Sequence, residues 1–137
     1  MKKTSYISLD IVLAIHDDMI EKYGGSYGIR DLGLIQSAIA RPQSSFQGED
    51  LYINIFDKAA ALFHSIIFNH AFIDGNKRTA MVSTARFLSI NGYTFDVDDK
   101  EFVNFPLRVT NNHLSIDEIS KWLQRHSKKI KITKLID

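Results

Sequence analysis

The chain has 137 residues, 45% hydrophobic and 24% charged, a size and balance that predict one soluble globular domain with a single core. It contains no cysteine, which excludes disulfides and thiolate-rich metal sites and fits a reducing cytoplasm. The net charge of +1 hides an asymmetry: from Lys121 onward stand six of the 17 basic residues and one of the 16 acidic ones, +5 against −4 for the first 120.

The opening MKKTSYISLD has two lysines but no continuous apolar stretch behind them, so it is expected to belong to the mature protein rather than to a signal peptide. Ser8 is placed to cap a helix running to about Tyr23, with Leu9, Val12, Leu13, Met19 and Ile20 as its apolar positions. Gly24-Gly25 stops it. Asp31 can cap a second helix through Ala40 that buries Leu34, Ile35, Ala38 and Ile39, and Pro42 forbids its continuation. The polar, turn-rich stretch from Arg41 to Tyr52 suits an extended loop or a short hairpin.

A third helix, from about Asn54 to Asn69, is apolar on nearly every side and is therefore expected at the centre of the domain. Its longest apolar run, Ala59 to Phe68, is broken by His64 and Ser65 and falls short of the ~20 residues of a membrane span, so no membrane role is expected. A polar loop from Asn69 to Gly75 leads into a fourth helix, Asn76 to about Ile90, closed by Asn91-Gly92. Tyr93 to Val97 is a brief strand or a link. Asp98 or Asp99 caps a helix through about Val109, and Ser115-Ile116-Asp117-Glu118 is a capping box for a last helix ending near His126. Six helices with little strand make an all-α fold: a bundle around a buried central helix. The basic tail, with Lys128 and Lys129 complementing the last helix dipole, reads as a solvated helix end rather than a nucleic-acid surface, because aromatics are not interleaved with its charges beyond Trp122.

Between two apolar helices lies His70-Ala71-Phe72-Ile73-Asp74-Gly75-Asn76-Lys77-Arg78-Thr79. Gly75 permits a tight turn and close approach by a ligand. The helix it opens has first-turn N–H groups with no internal partner, aimed at an anion. Lys77 and Arg78 stand at this same end, against the dipole rule, and phosphate is the obvious missing charge. Asp74 is a hard carboxylate suited to Mg²⁺ beside phosphate. His70, at the other rim, could take a proton from an attacking hydroxyl. Phe72 is placed to pin the loop into the core. Singly, each has a bland reading as a cap or a solvated charge; concentrated around one glycine turn, they divide evenly between that reading and a phosphoryl-transfer site.

This segment resembles the signature loop of the Fic/Doc family, His-x-Phe-x-Asp/Glu-Gly-Asn-x-Arg, at His70, Phe72, Asp74, Gly75, Asn76 and Arg78. The likeness to the Doc branch extends through Tyr23-Gly24-Gly25, Gly28 to Asp31, Lys58-Ala59-Ala60 and Phe87 to Tyr93. It implies a single Fic/Doc domain over residues 1–137, with a core at about 6–125 and a basic tail at 126–137. It implies His70 as the base toward a target hydroxyl, Asp74 as the Mg²⁺ ligand, and Gly75, Asn76, Lys77 and Arg78 with the loop amides as the ATP-phosphate site. It also implies a flap, including Ser44, Ser45, Phe46 and Gln47, that receives the target protein by strand addition.

AMP-transferring relatives carry glycine where Lys77 stands and a second arginine at Met81; the Doc branch has Asn-Lys-Arg, with the nucleotide reversed and the γ-phosphate transferred. The resemblance thus implies a cytoplasmic toxin kinase acting on a protein such as a translation factor. No internal inhibitory helix is recognised, so a small separate antitoxin is the implied partner. Three alternatives accompany this reading: AMP transfer, a catalytically inactive interaction or nucleic-acid-binding module, and a metallohydrolase built on His64, His70 and Asp74. His64 itself reads better as a hydrogen-bonded core residue, and His16, His113 and His126 have no evident partner. Arg30 and Asp31 read as capping rather than bracing the loop.

Overall fold

The computed structural model describes residues 3–131. Six α-helices lie among them: α1 (Leu9–Tyr23), α2 (Leu32–Ala40), α3 (Ile55–Asn69), α4 (Asn76–Ile90), α5 (Asp99–Asn112) and α6 (Ile116–Arg125). Five begin under a side-chain cap, from Ser8, Asp31, Asn54, Asp98 and Ser115, the last in a full capping box with Glu118. Each cap gives one otherwise orphaned N–H an acceptor, which is why the predicted starts fall where they do. The end of α5 lies three residues beyond the expected Val109, closing at His113 in the left-handed region.

Helix α3 is the hub. Ala59, Ala60, Ala61, Leu62, Phe63, Ile66 and Ile67 are all buried on it. The three alanines let neighbouring backbones approach closely, while Phe63 fills the space toward α5, its ring 5.6 Å from Phe105. Around α3 the core takes Val12 from α1, Ile35 from α2, Phe87 and Leu88 from α4, Phe105 and Val109 from α5, and Ile119 and Leu123 from α6. Trp122 stacks on Phe105 at 3.6 Å and joins α6 to α5. No described helix is long and apolar enough to cross a membrane.

Two small antiparallel ribbons complete the chain. After a 3-10 turn at Arg41–Gln43, β1 (Ser45–Phe46) pairs with β2 (Glu49–Asp50) across Gln47 and Gly48, both at positive φ. That is the backbone demanded by a two-residue hairpin, and it resolves the open choice for the flap in favour of a hairpin. The second ribbon, β3 (Tyr93–Phe95) with β4 (Ser127–Lys129), corrects the reading of the tail. Lys128 and Lys129 are not the solvated helix end expected: α6 ends at Arg125, close to the expected His126, and the two lysines lie in a strand paired with Thr94 and Tyr93. Residues 132–137, the rest of that predicted tail, lie outside the described residues.

Candidate active site

The loop between α3 and α4 is bounded by two left-handed residues, His70 (φ 50°, ψ 45°) and Gly75 (φ 78°, ψ 15°). His70 closes α3 and its side chain is exposed; it makes no hydrogen bond among the described residues. At Gly75 the positive φ favours glycine, and a Cβ would lie 3.0 Å from the terminal methyl of Ile20, a tight approach that Ile20 would have to relieve. The loop is held from three sides. The Asn76 carboxamide accepts from the Phe72 N–H and donates to the Phe72 carbonyl, both at 3.1 Å. The chain from Gly28 to Asp31 runs antiparallel beside it: the Arg30 and Asp31 amides donate to the Ala71 carbonyl, and the Ile73 amide donates to Gly28. From below, the buried His16 donates through Nε2–H to the Asp74 carbonyl at 2.7 Å and stacks on Phe72, centroids 3.9 Å apart and 7° from parallel.

Three sequence readings gain detail here. Arg30 does brace the loop, by its amide and by a 3.4 Å bond from its guanidinium to the last α3 carbonyl, Asn69, while Asp31 caps α2. Asn76 spends one donor and its acceptor on Phe72, so its side chain shapes the loop and leaves one N–H outward. His16, given no role in the sequence, is a buried strut. Its signal was present: with Val12, Met19 and Ile20 it completes the buried stripe of α1.

Helix α4 begins without a side-chain cap and without an acid in its first turn. The first amide to find a helical acceptor is that of Thr79, bonded to the Gly75 carbonyl. The amides of Asn76, Lys77 and Arg78 therefore remain as donors, with two cations beside them. The Arg78 guanidinium lies 4.6 Å over the Tyr23 ring, a cation–π contact that fixes it and leaves its in-plane N–H groups to bind oxygen. Lys77, half-buried, makes no ion pair among the described residues.

The Asp74 carboxylate is exposed and oriented by two amides, Gly75 N–H to Oδ1 at 2.8 Å and Ser26 N–H to Oδ2 at 3.2 Å. Each oxygen keeps a lone pair. No group of three or more His, Asp or Glu capable of holding a metal occurs among the described residues. One carboxylate beside an anion pocket fits Mg²⁺, which takes its other ligands from phosphate and water, better than it fits a transition metal. The metallohydrolase alternative meets a direct obstacle, because the His64 Nδ1 lone pair is taken by Arg41 Nη1–H at 3.1 Å.

Gly25 (φ 115°) faces that carboxylate: a Cβ there would sit 2.7 Å from Asp74 Oδ2. Gly25→Ala is therefore expected to swing Asp74 off its Ser26 amide. On the expectation that Asp74 holds Mg²⁺ beside ATP, Mg²⁺-dependent ATP affinity, measured by calorimetry, should weaken about tenfold, with Mg²⁺-free affinity little changed. Away from the loop, burial and then the Arg41 guanidinium lower the His64 pKa below its usual value. Its stabilising share is complete above the unfolded value of about 6.5 and is lost as pH falls through the lower folded one. Thermal melts from pH 8 to 5 should show the parent losing stability more steeply than His64→Gln, whose amide oxygen can still accept from Arg41.

Comparison with known proteins supplies the family. Residues 6–88 match a family model described as the Fic/DOC family. The chain is 49% identical over 83 residues to Toxin Doc of Mycolicibacterium smegmatis, a match covering 58% of this chain and 64% of that protein's length. It is 30% identical over 120 residues to Protein kinase doc of Escherichia phage P1, covering 88% of this chain and 94% of the relative.

Proposed function

The chain belongs to the Fic/DOC family, and from that premise we propose that it is a Doc-like toxin, a protein kinase that moves the γ-phosphate of ATP to a serine or threonine hydroxyl of a target protein. The observation that carries this reading is the uncapped start of α4, which leaves the amides of Asn76, Lys77 and Arg78 as free donors on a helix end that carries two cations and directly follows the loop of His70 and Asp74. Terminal phosphates of ATP fit this end because amides, dipole and cations all favour anionic oxygens there. Asp74 would hold Mg²⁺, which when bound neutralises phosphate charge.

The target oxygen attacks the γ-phosphorus in line. The bond from oxygen to phosphorus forms, the β–γ bridge breaks, ADP leaves, and the hydroxyl proton passes to the His70 imidazole. Most of the rate then comes from positioning and charge neutralisation. Two features favour γ over α transfer. Lys77 stands where AMP-transferring relatives have glycine, adding a stem and a charge that would crowd an α-phosphate, and Met81, where those relatives have arginine, is 1% exposed and part of the core. The names of the relatives, one a toxin and one a protein kinase, support the same reading. A small antitoxin as the silencing partner, a target such as a translation factor, and a cytoplasmic setting are parts of it.

The decisive experiment adds the chain to bacterial lysate with Mg²⁺ and ATP labelled at the γ- or the α-phosphate. Protein labelled from γ alone is the expected result. Label from α alone would replace kinase chemistry by AMP transfer, and label from neither would leave only a binding module.

A further inference from the structure

Lys58 lies on α3 facing the core, and its side chain is 3% exposed. An ammonium is seldom placed so deeply without partners, since burial disfavours the unpaired charge. Here Nζ donates to the Pro42 carbonyl at 3.3 Å and to Asp50 Oδ2 at 3.2 Å. The first acceptor stands just before the β1–β2 hairpin and the second at its end, so one buried cation ties both feet of the hairpin together and to α3.

Arg41 repeats the arrangement beside it. Its Nε donates to the Tyr52 hydroxyl at 3.0 Å, and its Nη1 donates to His64 Nδ1 and to Ser65 Oγ at 2.9 Å. These last two residues precede His70 on α3 by only five and six positions, roughly 8 Å along the axis. The strands themselves are two residues each, and so short a hairpin has little stability of its own. Its tip is open: Phe46 is 66% exposed, and each strand keeps an unpaired edge.

We propose that Lys58, with Asp50 as its counter-ion, is a positioning residue for the protein target: it holds the hairpin in the orientation in which a free edge can take up a target strand near His70. This rests on reading the hairpin as the target flap under the kinase proposal. Lys58 touches neither ATP nor the reacting atoms; it acts through the backbone it anchors.

Asp50→Ala tests it: Asp50 is itself exposed, but its loss leaves the Lys58 ammonium only the Pro42 carbonyl, so a thermal melt first establishes that the variant folds; Asp50→Glu is the conservative control. Three quantities are read: hydrogen exchange of the Leu51 amide, which donates to Ser44 across the hairpin base; Mg²⁺·ATP affinity by calorimetry; and transfer of γ-label to bacterial lysate protein. In Asp50→Ala the exchange should accelerate about tenfold or more. Labelling should fall about tenfold and recover as lysate is concentrated, the signature of a weakened target affinity, while Mg²⁺·ATP affinity stays within about twofold. Asp50→Glu should restore most of both losses. Unchanged exchange, or parental labelling despite a freed hairpin, overturns the proposal. If the parent labels protein only from the α-phosphate, the kinase reading falls and the Asp50 variants are judged with that label. If it labels from neither, both fall.

Discussion

His70→Asn is expected to lower γ-phosphate transfer to protein by about 10²–10⁴-fold, the range lost when a general base is removed. Mg²⁺·ATP affinity should stay within about threefold, since the imidazole is exposed and bonded to nothing in the described residues. Asparagine is a better choice than alanine because the residue sits at φ 50°, ψ 45°, where asparagine is tolerated and a β-carbon without a polar group is strained. His70→Ala should show the same kinetic loss with a slightly lower melting temperature. In cells, growth arrest on induction should disappear in both variants. Parental transfer rates in folded His70→Asn would exclude the imidazole as the proton acceptor.

The second large effect concerns a residue outside the loop. His16→Ala removes the ring stacked on Phe72, the donor to the Asp74 carbonyl and the volume between them. Losses of stacking, hydrogen bond and packing together suggest about 3 kcal/mol of stability. For a chain of this size that lowers the melting temperature by roughly 10 °C. Two further variants separate stability from site geometry. His16→Phe keeps an aromatic stack without a donor; His16→Gln keeps a donor without the stack. If the strut sets the Asp74–Gly75 peptide, His16→Phe should fold but bind Mg²⁺·ATP about tenfold more weakly, with His16→Gln closer to the parent. Equal, parental affinity in both would reduce His16 to a packing residue.

How legible each part was follows from the range of the forces involved. Helix starts were readable because a cap is a contact over three residues: Ser8 to Ile11, Asp31 to Leu34, Asn54 to Asp57, Asp98 to Glu101 and Ser115 to Glu118 all close locally. The centrality of α3 was readable because a helix apolar all round has no face to show to water. The missing acid and the paired cations at the start of α4 were equally local, and on them the proposed phosphate site rests. By contrast, Lys128 and Lys129 were misplaced because their strand partner, Tyr93-Thr94, lies more than 30 residues away. Nothing in a run of lysines announces a ladder.

The amino-acid sequence by itself determined the all-α class, the six helices and the cluster of His70, Asp74, Lys77 and Arg78 on one glycine bend, since each is encoded by neighbours within a turn or two. Only the tertiary structure decided what holds that cluster still: His16 beneath Asp74, Gly25 and Ser26 beside its carboxylate, Arg30 along Ala71, and Lys58 gripping the hairpin. Those contacts join residues 8 to 58 positions apart. They come from packing separate elements around one core, and the periodicity of any single element carries no record of its partner.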